Sequence, residues 1–150
     1  MAGLKTRLNS SALTTGTSVK TLVQVVAPTN HRLLVSRVKV SFNGVTAADA
    51  PILCEILRQT SAGSMSSLTP VKFDNTYDET IQQTAQENST SEPSAGDIME
   101  KGYAHPQGGI FEWVALRRED YIPVPGGGRL GVRVTAGVSV TSETVMEVEE

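Results

Sequence analysis

The stretch RLLVSRVKVSF, Arg32 to Phe42, restricts the fold of this chain more than any other. Leu34, Val38, Val40 and Phe42 fall on one side of a two-residue period, and Arg37, Lys39 and Ser41 on the other, the pattern of a half-buried strand. Pro28-Thr29-Asn30 breaks the chain before it and Asn43-Gly44 stops it afterwards, both with the chemistry of reversing turns. Such a strand needs partners for its backbone and a second layer over its apolar face.

Runs of similar length supply them. Val19 to Ala27 reads as the first strand, with Val19, Thr21, Val23 and Val25 on one face. After Asn43-Gly44 the segment VTAADAP allows only a short return strand or a loop. Ile52 to Gln59 is apolar on both faces apart from Glu55, which places it near the middle of the domain. Ile98 to Ala104 and Ile110 to Leu116 are separated by HPQGG, a connection of hairpin length, and Phe111 and Trp113 share a core-facing side. Arg117 to Asp120 is a charged turn, and Tyr121 to Val124 a short strand leading to the glycine reversal at 125–128. Arg129 to Thr135 points Leu130, Val132 and Val134 inward and Arg129, Gly131 and Arg133 outward; Glu143 to Val148 points Met146 and Val148 inward. About eight strands at this spacing predict an all-β, antiparallel β-sandwich of jelly-roll type.

Two segments lack that signal. Residues 1–18 are polar, with only Leu4, Leu8 and Leu13 to anchor them, and read as a flexible N-terminal arm ahead of a single domain at 19–150. Asp74 to Asp97 has few large apolar residues. Tyr77, Ile81 and Ala85 fit one short helix, Thr80, Gln82 and Thr84 an edge strand, and Glu87 to Gly96 an exposed loop.

The chain has 150 residues and 16.0 kDa, enough for one buried core, with a net charge of −3. Its basic residues are scattered singly, which argues against a nucleic-acid partner, and no run reaches the roughly 20 apolar residues of a membrane-spanning helix. The first residues lack the apolar stretch of a signal peptide, so Asn88-Ser89-Thr90 reads as a chance match to a glycosylation acceptor. Cys54, the one cysteine, reads as a small buried hydrophobe.

The residues that carry chemistry are sparse. His31 and His105 both lie in turns without metal-ligand spacing. The pairs Asp78/Glu79, Glu119/Asp120 and Glu149/Glu150 are adjacent in sequence, so on a strand they point apart rather than across a cleft. Gly126-Gly127-Gly128 lacks the lysine and following helix of a phosphate loop. No enzyme, cofactor, metal or small-molecule substrate is predicted. Trp113 and Tyr103 could form a sugar-stacking platform, although apolar neighbours favour the core for Trp113. Arg129 and Arg133 would pair with Glu147 and Glu149 if the last two strands were neighbours.

Glu92-Pro93, Gly96-Asp97, YAHPQGG at 103–109, the aromatic strand at Phe111 to Trp113, GGGRLGVRVTA at 126–136, the acidic end VEE and TNHRLLVSRVKVSFNG at 29–44 together form a pattern. It resembles, over roughly residues 19–150, the small β-sandwich virion proteins of tailed bacteriophages, in particular head decoration or cement proteins. The resemblance implies a non-enzymatic protein, made in the host cytoplasm, that binds the outside of an assembled capsid. It would do so often as a homotrimer, with the major capsid protein as partner. In that family an N-terminal arm commonly reaches onto the adjacent subunit, which makes Met1 to Ser18 the matching segment. Leu4, Leu8 and Leu13 then become contacts buried in a partner. Glu87, Asn88 and Glu92 in the polar loop, and outward Arg129 and Arg133, are the further contact candidates. The rival reading is a monomeric ligand-binding β-sandwich, a carbohydrate-binding or tail adhesion module.

Overall fold

A computed structural model describes residues 3–45 and 50–150. All its sheet pairings are antiparallel, and its strands form two sheets that face each other across one core. The strands are β1 (Lys5–Asn9), β2 (Leu13–Thr14), β3 (Lys20–Val26), β4 (Leu33–Asn43), β5 (Ile52–Gln59), β6 (Ser64–Leu68), β7 (Val71–Lys72), β8 (Thr84–Ser91), β9 (Ala95–Ala104), β10 (Gln107–Val114), β11 (Ile122–Val124), β12 (Arg129–Thr135) and β13 (Thr141–Glu149). One sheet runs β10-β4-β13-β1-β7, with β11 added to β4 and β2 to β13; the other runs β6-β8-β3-β12-β5-β9. The molecule is therefore an all-β, antiparallel sandwich. A jelly roll winds eight strands into two Greek keys; here the sheets hold seven and six.

The core takes one face from each sheet. Val38, Val40, Phe42, Met146, Leu8 and Phe111 meet Val23, Val25, Cys54, Ile56, Leu130 and Val132, all buried. β5 sits between β12 and β9, the interior position that its two-sided apolar pattern predicts. Burial pushes the Cys54 thiol up to about 12, with the charge of Glu55 adding to the effect, so the thiol stays protonated.

Two β-bulges change which residues face the core. At Ser36 the pairing of β4 with β13 skips a residue, so Val35 lies opposite Val148 while Arg37 lies opposite Glu147. Leu33 and Val35 are buried as a result, and Leu34, expected inward, is only half-buried. At Leu22 the pairing of β3 with β12 skips in the same way. Thr21 therefore joins Arg133 on the outer face, although the alternation placed it with Val23 and Val25.

Residues 3–14 are not a free arm. β1 is hydrogen-bonded between β13 and β7, Leu4 and Glu150 exchange two backbone hydrogen bonds of 2.9 Å, and Leu4, Leu8 and Leu13 are buried. Leu8 in β1 and Leu13 in β2 are held opposite Met146 and Ser142 of β13, and Leu4 is tied to Glu150 just beyond it. The helix considered at Tyr77 to Ala85 does not form, and the loop expected at 87–96 is mostly strand, since β8 continues to Ser91 and β9 starts at Ala95. β8 also lies inside its sheet, between β6 and β3, rather than at an edge. β4 and β5 belong to different sheets, as do β9 and β10, so neither pair is a hairpin. The return strand considered after Asn43-Gly44 falls partly on residues 46–49, outside the described residues.

Candidate functional site

Three surfaces carry the unusual chemistry of this sandwich: the outer face of each sheet and the edge formed by β9 and β10.

On the outer face of the β4 sheet, an ion-pair ladder crosses four strands. Arg7 of β1 meets Glu147 of β13 at 2.7 Å, Glu147 meets Arg37 of β4 at 3.2 Å, and Arg37 meets Glu112 of β10 at 2.7 Å. The regular register of β4 with β13 puts Arg37 directly opposite Glu147, just before the bulge at Ser36. The hydrogen bond to Glu112 is the largest influence holding the Arg37 guanidinium above its ordinary pKa. Arg7 also lies over the Phe73 ring, 4.5 Å from its centre. Nearby, Glu149 accepts from Arg118 at 2.6 Å and from the Gly3 backbone N–H at 3.0 Å. Burial pushes its pKa up, but these hydrogen bonds and the charges of Arg118 and Lys5 outweigh that, and the net shift is downward.

On the outer face of the β3 sheet lies a buried polar network. Gln24 donates to Gln59 at 2.7 Å and to the Ser61 carbonyl at 3.1 Å, and Gln59 donates to Thr21 at 2.9 Å. Thr21 gives its N–H and hydroxyl to Glu92, which also accepts from Ser89. Residues 60–63 and 91–95 lie against each other through Thr60 N–H to Ser94 and Ser94 N–H to Ser61. Gln24, Gln59 and Thr21 are buried and mutually bonded, a structural role.

The contact residues predicted from sequence are largely used internally. Leu4, Leu8 and Leu13 are buried in the chain's own fold, which corrects their assignment as partner contacts. Glu87 caps the N-terminal segment, accepting from the Ser11 N–H and hydroxyl at 2.9 Å each. Asn88 sits in β8 with φ of 61°, and Ser89 of its sequon is buried against Glu92. Arg129 donates to Gln24 at 3.2 Å and Arg133 to Glu55 at 2.9 Å. Neither arginine pairs with Glu147 or Glu149, because β12 and β13 lie in different sheets. Among the described residues no hydrogen bond joins His31 to His105; His105 accepts from the Gln107 N–H within its own turn. Among the described residues, no three His, Cys, Asp or Glu side chains are placed to hold a metal ion.

The surface that sequence reading missed is the edge. β9 ends one sheet and β10 the other. β9 exposes Ile98 and Met99, Tyr103 stands on the outer face of the β3 sheet, and Ile110 and Val114 flank Glu112 on the outer face of the β4 sheet, with Leu116 just beyond at 91% exposure. Trp113 is turned inward and packs against the core. The opposite edge, at β7 and the residues after it, exposes Val71, Phe73 and Tyr77. Alternation places such residues outward, yet it cannot say that their strands end the sheets. Comparison with protein-family models, with characterised proteins and with solved structures finds no match to this chain.

Proposed function

We propose that this protein is a non-enzymatic structural component of a virion, a decoration or cement protein that assembles as a homotrimer on the outer surface of a phage capsid and binds the major capsid protein. The resemblance in the sequence suggests the setting, and the apolar edge at β10 carries the reading. Ile110, Val114 and Leu116, exposed at and just beyond the open β10 edge, are the kind of surface that a folded domain hides in a partner.

The distribution favours a ring over a two-fold dimer. A two-fold contact uses one self-complementary patch, whereas a closed ring joins two different patches head to tail. Ile110, Val114 and Leu116 at one edge and Val71 and Phe73 at the other are two such patches. The ion-pair ladder links four strands between them, so load on one edge passes through paired charges and backbone hydrogen bonds to the other. Many weak, repeated contacts of this kind stabilise a shell without any single strong one.

The test is co-sedimentation with empty heads of the phage that encodes the protein. Saturable binding, lost when Ile110 and Leu116 are changed to Asp, supports the reading. Absence of the protein from the pelleted heads at every concentration refutes it.

A further inference from the structure

We infer a second binding site, independent of the assembly reading, on the outer face of the β3 sheet: a subsite for an acidic sugar formed by Tyr103, Leu53 and Lys101. Tyr103 is 69% exposed and stands directly opposite Leu53, whose other cross-strand neighbour is Thr135. Two residues along each strand, roughly 7 Å away, the next row on the same face is Lys101, Glu55 and Arg133. A groove of about 320 Å³ lies between these rows, lined by Leu53, Glu55, Lys101, Gly102 and Tyr103.

The charges decide the ligand class. Glu55 is buried, and both of its oxygens are engaged by Arg133, at 2.9 and 3.5 Å. That pair neutralises itself. Lys101 makes no ion pair among the described residues, so its ammonium is the free charge of the groove. An aromatic face with an apolar floor accepts the C–H side of a pyranose ring, and a cation one row away accepts a carboxylate carried on that ring. Uronic and sialic acids combine both features. A neutral sugar leaves Lys101 unused, and a simple anion leaves Tyr103 unused.

Affinity electrophoresis of the full chain through gels containing hyaluronate, polygalacturonate or polysialate tests the site, with neutral dextran as comparison. Retardation by at least one acidic polymer and not by dextran is expected. Tyr103→Ala should weaken it about tenfold, Lys101→Gln by a similar factor, and Tyr103→Trp should preserve it. Lys39→Gln, on the outer face of the other sheet, should leave it unchanged. Because Tyr103 and Lys101 are exposed, their variants should melt with the parent. No retardation by any acidic polymer overturns the inference, as does equal retardation of Tyr103→Ala or equal binding to dextran. Head binding by the Tyr103→Ala protein is a separate readout, so the two readings fail separately.

Discussion

Gly131 and Gln59 occupy the same space on the outer face of the β3 sheet: a Cβ on Gly131 would fall inside the side-chain amide of Gln59. Gly131 needs no unusual backbone angle, so its lack of a side chain serves this one close approach. Gln59 is held there by Gln24 and Thr21. Gly131→Ala should therefore push Gln59 out of the network and leave buried amide groups unpaired, lowering stability by about 1–3 kcal/mol. Urea unfolding measures this, and a Gly131→Ala change that costs little more once Gln59→Ala is already present would identify the clash as the cause.

Glu147 joins two arginines that would otherwise face each other across β1, β13 and β4. Glu147→Ala should leave Arg7 and Arg37 as unneutralised neighbours and cost about 1–2 kcal/mol, since the side chains are only partly exposed. At this chain length that is roughly 2–8 °C in thermal midpoint. A double-mutant cycle with Arg37 should show strong non-additivity; simple additivity would mean that the ladder acts as isolated pairs.

Acid stability should depend on Glu149. Its folded pKa lies below the ordinary value of 4.5, so the folded state favours its charged form. The contribution is complete above that value and is lost as pH falls through the lower, folded pKa. Glu149→Gln should flatten this part of the acid-unfolding curve while reducing stability at neutral pH. An unchanged acid limb would contradict the assignment.

The N-terminal segment supplies core. Leu8→Ala should cost about 2–5 kcal/mol, and removal of residues 1–14 should uncover Met146 and Val148, seen as dye binding and an early melt. A truncated chain as stable as the full one would show that β1 is dispensable.

How much of this was legible in the sequence follows from the kind of strand. β4, β5, β10, β12 and β13 have one apolar face or two, and alternation finds them. β8, with the sequence TAQENSTS, is a strand whose polar residues bond to other polar residues of the fold, so no alternation marks it. β1 pairs with β13, and the Arg7–Glu147 contact spans a sequence separation of 140 residues, a distance at which local pattern says nothing. The bulge at Ser36 was hidden because Leu33, Leu34 and Val35 are all apolar and fit either phase. The apolar edge was invisible for a related reason: only the topology shows that β10 has no strand beyond it.

The central claim, that the β10 edge joins copies of this chain, is tested most directly by light scattering coupled to size exclusion. The parent should give a mass near three times 16.0 kDa, and the Ile110→Asp, Leu116→Asp variant should give a monomer with the parent's circular dichroism. A parent that stays monomeric at every concentration, or a variant that stays trimeric, would contradict it.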